Sequence, residues 1–319
     1  MTADSLAGQM RSAATVLLRA VDDDQRRLAA LPFADDSARR WLEYRPRKRP
    51  GACLAQLSPA GRKGAHRLLS TALSDRAYAQ AMAIIALEEV LDRKEGWRRG
   101  RHSGDYWVAV FGNPGKEEPW AWRFEGHHLS VSMTLRGDDV SPAPVFFGAN
   151  PARVGYAGQV VSGPLAPEED MAHALLEELG PRGRDIAVVA GRAPADIRSS
   201  TKARVTGELE PRGIAASQLG PTARALLEQL VALYLDRLDG ELAASQAARL
   251  EPGDLHFAWE GATRRGTRHY YRVQGDDLLI EYDNTQDDGN HAHTVLRRPL
   301  GDFGDDILAA HYAEAHTPA

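Results

Sequence analysis

Between Trp120 and Leu135 the chain alternates with a period of two, and this stretch constrains the fold more than any other. One set of positions carries Trp120, Trp122, Phe124, Gly126, His128, Ser130, Ser132 and Thr134. The other carries Arg123, Glu125, His127, Leu129, Val131, Met133 and Leu135. Residues two apart share a face of a strand, so the segment predicts one long extended element. Shorter strand patterns occur at Trp107 to Phe111, Val145 to Gly148, His256 to Trp259, Thr267 to Val273, Leu278 to Tyr282 and His291 to Leu296.

The rest follows helical spacing. Leu6, Met10, Ala13, Leu17, Ala20 and Val21 mark a first helix, with Leu28 and Leu31 extending its face to Pro32. Ser58-Pro59, a cap followed by proline in the first turn, opens a second. Others span Ser74 to Arg93, Pro167 to Leu179, Gly220-Pro221 to Leu238 or Gly240, and a further piece to Leu250. Asp305 to Ala315 closes the chain as a helix, Ala187 to Gly207 has no clear pattern, and no segment reads as a repeat of another. Helix and strand blocks do not alternate one for one. The expected class is therefore α+β, with helical N-terminal and middle segments around a mainly antiparallel sheet and a closing C-terminal helix. We read a single domain over residues 1–319, helical over 1–100 and mixed over 101–319.

With 319 residues, 43% of them hydrophobic and 26% charged, the chain has the makings of a real core. It lacks a run long and apolar enough to span a bilayer. Its first 30 residues are broken by Asp22-Asp23-Asp24-Gln25-Arg26-Arg27 and lack the apolar centre of a secretory signal, so the expected location is cytoplasmic. One cysteine, Cys53, excludes an internal disulfide and reads as an incidental thiol. A net charge of −5 argues against nucleic-acid binding, and the cluster Arg45, Arg47, Lys48 and Arg49 reads as a solvated loop. Walker, His-Glu-x-x-His and Gly-x-Ser-x-Gly motifs do not occur.

The chemistry concentrates in histidines. Two strand patterns flank the turn-rich loop Asn284 to Asn290. A hairpin centred near Asp287 sets Glu281 opposite His293 and Asp283 opposite His291, all on one face. Imidazoles two apart with a carboxylate across from them can converge on a divalent ion. Gly126-His127-His128 is the second motif; His128, in register with serines, is favoured over His127, and a bulge at Gly126 would present both. Gly304-Asp305-Asp306 starts a helix that carries His311 toward the protein with Ile307 and Leu308, as a further ligand or an acid/base. Arg264 and Arg268 suit a carboxylate or phosphate of a substrate, and Trp122 suits an apolar pocket wall, although core packing competes for it. His66, His102, His173 and His316 read as structural or exposed.

The stretch Trp120-Ala121-Trp122-Arg123-Phe124-Glu125-Gly126-His127-His128-Leu129-Ser130 resembles the bacterial and fungal family known as domain of unknown function thirty-five hundred. So do Leu279 to Gln286, Asn290 to Val295, and Asp302-Phe303-Gly304 with His311-Tyr312. The likeness runs from about residue 10 to the end and departs at Arg298-Pro299, where the family pattern has an acid after the arginine. It implies boundaries and candidate residues but no reaction.

These readings combine into an expectation. The chain is a metal-dependent enzyme acting on a small molecule, with ligands drawn from His127, His128, Glu281, His291 and His293. Fe, Mn, Cu or Zn fits such a set. Oxidation is favoured over zinc-dependent hydrolysis by analogy with non-haem oxygenase sites. A non-catalytic ligand-binding protein with a structural histidine network is the competing reading. Neither nucleic acid nor membrane is an expected partner, and the sequence sets no oligomeric state.

Overall fold

The alternating segment is a hairpin, not one strand: it runs from Trp120 to Gly126, turns over His127-His128 and returns from Leu129 to Arg136. The two-residue turn reverses the parity of the returning strand. Trp122 then pairs with Met133 and Phe124 with Val131 on an apolar face, while Arg123 meets Ser132 and Glu125 meets Ser130 on the polar one. A continuous strand would have mixed the two sets on each face.

The computed structural model describes residues 5–116, 118–205, 209–250 and 255–309. The first half holds helices α1 (Leu6–Ala20) and α2 (Asp23–Ala29), strand β1 (Ala30–Leu31), helix α3 (Asp36–Arg39), strand β2 (Ala52–Cys53), helices α4 (Pro59–Ser70) and α5 (Asp75–Lys94), then strands β3 (Tyr106–Phe111), β4 (Trp120–Gly126), β5 (Leu129–Arg136), β6 (Asp139–Ser141) and β7 (Val145–Ala149). A small hairpin, β8 (Val154–Tyr156) and β9 (Gln159–Ser162), follows. The second half holds helices α6 (Ala166–Glu178) and α7 (Gly180–Ala187), strands β10 (Val188–Ala190) and β11 (Ile214–Ala215), helices α8 (Pro221–Leu235) and α9 (Gly240–Ala247), then strands β12 (His256–Gly261), β13 (His269–Gly275), β14 (Leu278–Gln286) and β15 (His291–Arg297). Residues 305–309 are helical. The expected α+β class holds, with one large, mainly antiparallel sheet. Leu28 and Leu31 do not continue the first helix: Asp22 caps a new one, Leu28 is exposed, and Leu31 lies in β1 of the sheet.

The two halves repeat one motif. The sheet runs β1-β3-β4-β5-β7-β15-β14-β13-β12-β10, the same series read outward from its centre. In each half a short strand pairs parallel with the outer long strand (β1 with β3, β10 with β12), and a second short one pairs antiparallel with it (β2, β11). A single 3-10 turn then leads into a helix that opens on proline. The sequence keeps Gln56-Leu57-x-Pro59-x-x-Arg62 against Gln218-Leu219-x-Pro221-x-x-Arg224, and Arg123-x-x-Gly126-x-x-Leu129 against Arg272-x-x-Gly275-x-x-Leu278. The sequence reading that found no repeat is thereby corrected. Because α5 has 20 residues and α9 has 8, the equivalences follow no fixed period.

The halves meet along β7 and β15, which pair antiparallel from Val145–Leu296 to Ala149–Ala292, and at a bridge between Leu73 and Leu238. Helices cover the apolar face of the sheet in a continuous core that includes Trp120, Trp122, Phe147, Trp259 and Tyr271. Connecting segments cross the other face, where Leu42, Tyr44 and Ile197 pack on Phe146 and Val295. Equivalent arginines hold these segments: Arg123 donates to the carbonyls of Ala38 (2.6 Å) and Pro50 (3.3 Å), and Arg272 donates to those of Leu209 (3.3 Å) and Pro211. Among the described residues no helix is long and apolar enough to cross a membrane.

Candidate metal centre

The turn at His127-His128 is the first wall of the site. His128 takes φ +62°, a conformation that glycine or asparagine usually supplies at tight turns. Its strain is offset by fixed backbone bonds: its N–H donates to the Tyr44 carbonyl (3.1 Å) and its carbonyl accepts from Gly148 N–H (2.7 Å). Gly148 is required where it stands, because a Cβ there would lie 2.9 Å from the His128 ring and 3.1 Å from that of His293. The absence of a side chain lets imidazoles from two strands meet.

The second wall comes from β14 and β15, in a register shifted from the expected one. Asp283 pairs with His293, Glu281 with Val295 and Gln286 with His291, across a bulge between Asp283 and Gln286. Asp283 builds the bulge itself by accepting from the Thr285 N–H (3.0 Å) and hydroxyl (2.9 Å). His291 and His293 still project together, with ring centroids 4.6 Å apart.

Three imidazoles converge. His128 Nε2 lies 2.8 Å from His291 Nε2, and the His128 and His293 rings are 5.4 Å apart. His128, His291 and His293 offer ligand atoms within 4.8 Å of one another, so the group could hold a metal ion. His127 stacks on His128 at 3.7 Å and, with Glu88 of α5, forms a second such group that shares His128. His127 Nδ1 is hydrogen-bonded to Glu88. A regular strand would send His127 and His128 to opposite faces; as turn residues they stand side by side.

Carboxylates brace the imidazoles from behind. His293 Nδ1 lies 2.9 Å from Asp196 and 3.3 Å from Asp283. Burial disfavours its charge, but hydrogen bonds to those two acids outweigh it and push its pKa up to about 9. The Tyr44 hydroxyl donates to the other Asp196 oxygen (2.8 Å). His291 Nδ1 sits 3.2 Å from Asn150 Nδ2 and 3.3 Å from Asp287. Burial and the charge on His293 push His291 down to about 3, and burial with the neighbouring histidines takes His128 well below its ordinary value. Two neutral imidazoles thus face one that is readily charged.

The remaining candidates lie elsewhere. Glu281 is fully buried away from the histidines, where it accepts from Arg198 N–H (2.6 Å), Ser199 N–H (3.1 Å) and the Tyr270 hydroxyl (2.9 Å). The register shift explains this: Glu281 stands opposite Val295, two residues further along β15 than the expected partner His293. Trp122 is buried in the helix-facing core, on the other side of the sheet from the polar residues. Arg264 is exposed, and Arg268 is exposed and paired with Asp288. His311 and His316 lie outside the described residues. Residues that sequence reasoning passed over are Glu88, Asp196, Asn150 and Tyr44. They come from four separate elements or loops, and no local pattern ties them to the histidines.

A cavity of about 600 Å³ opens beside His127 and Glu88, lined also by Arg47, Lys48, Arg99 and Arg101. The basic cluster read as a solvated loop therefore faces this cavity. Its last member, Arg49, turns inward at 7% exposure, 3.2 Å from Glu125.

A sheet of two repeats with a histidine cluster at the joint between them defines the class of protein. The chain belongs to the family described as Protein of unknown function (DUF3500), whose model matches residues 3–305. No curated protein and no solved structure matches it.

Proposed function

We propose that the chain is a metal-dependent enzyme that binds its ion through His128, His291 and His293 and acts on a small anionic molecule. The observation that carries this reading is the convergence of three imidazoles, two of them with a carboxylate behind Nδ1. That arrangement fixes tautomer and ring orientation in metal sites, and here it leaves Nε2 of His293 for the ion. The 2.8 Å between His128 Nε2 and His291 Nε2 must open to about 3.3 Å for tetrahedral bonds of ordinary length. Imidazole donors suit Zn, Cu or Fe better than Mg or Ca.

The cationic cavity supports the anionic substrate: Arg47, Lys48, Arg99 and Arg101 would orient a carboxylate or phosphate beside His127. This role replaces the one the sequence suggested for Arg264 and Arg268. The pair His127–Glu88 supplies a proton acceptor next to the centre. Zinc would supply an acidified water and make the reaction hydrolytic, whereas iron or copper would make it oxidative. The Glu88–His127 acceptor favours proton transfer, so hydrolysis moves ahead of the oxidation favoured by analogy.

Elemental analysis of protein purified without a histidine tag tests the reading. At least one equivalent of Zn, Cu or Fe is expected, and Gly148→Ala should weaken its binding about 10-fold by wedging the two rings apart without removing a ligand. A folded, tag-free chain that neither retains nor binds any of these ions would sink the proposal.

A further inference from the structure

A second group of ligand-type residues lies apart from the histidine centre. Helix α6 presents Glu169 and His173 one turn apart on the same face, and His269 of β13 meets them. Their ligand atoms lie within 4.8 Å of one another, at 8%, 1% and 0% exposure respectively.

The unsatisfied atoms make the group unusual. His269 Nδ1 is 2.9 Å from the Thr267 carbonyl, so that nitrogen carries the proton. Its Nε2 lone pair is buried with no hydrogen-bond partner among the described residues, and the same holds for both ring nitrogens of His173. Burial pushes His173 down to about 4, so its imidazole is neutral. A buried polar atom without a partner is destabilising, because the hydration it loses is not replaced. Glu169 is held in place by Arg153 (2.9 Å) and Asn284 (3.3 Å). Trp259 closes the group, stacked on His269 at 4.4 Å and edge-on to His173 at 4.9 Å.

The repeat provides a control. The first-half position equivalent to His269 is Trp120, buried in the same apolar core, so the fold itself does not require an imidazole there. We propose that Glu169, His173 and His269 form a second, enclosed site for a divalent transition metal, pinning α6 to β13. Two imidazoles and a carboxylate suit zinc or iron, and enclosure suits an ion held for stability. Backbone and carboxamide partners behind His269 and Glu169 match what metal ligands ordinarily have.

The test uses the full chain, tag-free and stripped with chelator, with Zn²⁺ and Co²⁺ as probes. His128→Ala with His291→Ala silences the first centre, and that variant should still bind one equivalent and gain melting temperature on adding Zn²⁺. Adding Glu169→Gln, nearly isosteric and the substitution least disruptive to folding, should weaken that binding about 10–100-fold and remove the visible absorption of bound Co²⁺. His173→Leu should abolish it. If the folded His128/His291 variant binds neither ion, or if Glu169→Gln and His173→Leu leave its binding unchanged, the second site does not exist. Loss of metal only with His128 and His291 would leave the first proposal standing and overturn this one.

Discussion

The turn between β4 and β5 and its counterpart between β13 and β14 occupy equivalent places, yet one carries His127-His128 and the other Asp276-Asp277. Both pack near an end of the central pair. The histidine turn meets Gly148 and the start of β15, and brings imidazoles together. The aspartate turn meets the far end, where Asp277 pairs with Arg298 beside a pocket lined by Pro142, Ala143 and Leu296. One scaffold therefore offers two junctions. One is filled with three imidazoles, two of them neutral, the other with an ion pair that consumes its own charge. Arg298 belongs to this second junction and also reaches Asp306 (2.9 Å).

Removing ligands should separate the junctions most sharply. His128→Ala with His291→Ala is expected to lower the metal affinity of the histidine centre by more than roughly 100-fold, leaving only the binding proposed for Glu169, His173 and His269, whereas Asp276→Ala with Asp277→Ala should leave both unchanged. Equal losses by calorimetric titration would show that the turns are not functionally distinct.

The buried acids that tie crossing segments to the sheet come next. Glu125 accepts from Glu43 N–H (2.9 Å) and lies near Arg49 and Arg123, so Glu125→Gln leaves buried cations unpaired and should cost about 3–5 kcal/mol. Glu281 accepts from backbone and tyrosine donors, and Glu281→Gln should cost about 1–3 kcal/mol with metal content unchanged. Urea unfolding checks the order. Metal lost from a folded Glu281→Gln chain would return Glu281 to the site.

A pH series on metal-free protein tests the imbalance of charge within the centre. His293, raised to about 9, adds stability that is complete below about pH 6.5 and is lost as pH rises through 9, on the order of 3 kcal/mol. His291, lowered to about 3, acts in the opposite direction: its contribution is complete above about pH 6.5 and falls away in acid. Stability should therefore peak near pH 6.5, and His293→Gln should flatten the alkaline limb and, by removing a charge that helps depress His291, soften the acid one. An alkaline limb that persists in that variant would assign it elsewhere. The smallest effect belongs to the second junction, where Asp277→Asn should cost about 1 kcal/mol, because the largely buried Arg298 keeps its pairing with Asp306.

Much of the fold was legible in the sequence. The caps at Ser58 and Ser74, the proline openings of α4 and α8 and the C-terminal strands follow local rules, and the structure keeps them. What failed was non-local or turn-dependent. The periodicity of Trp120 to Leu135 is nearly unbroken because the turn residues are themselves polar, so the reversal left no glycine-asparagine signature. The β14–β15 register slipped because a side chain, Asp283, makes the bulge. The common side of His291 and His293 was legible from their spacing of two. Glu88 and Asp196 were not, since helix and loop positions carry no mark of the strand ends they approach. The repeat was written in two short motifs, but unequal helices hid its period.

The antiparallel joint of β7 and β15 also sets an order of events. Its partners are separated by nearly half of the chain, so the entropy of closing that loop must be met before the pairing yields anything in return. Each half can form its own hairpins first, from contacts close in sequence. His128 arrives with the first half, and His291 and His293 with the second. The three imidazoles can be neighbours only once the halves have docked. Metal capture would then be a clock for the last step of folding: in stopped-flow refolding, the Co²⁺ signal of this centre should lag the burial of Trp120 and Trp122 and never lead it.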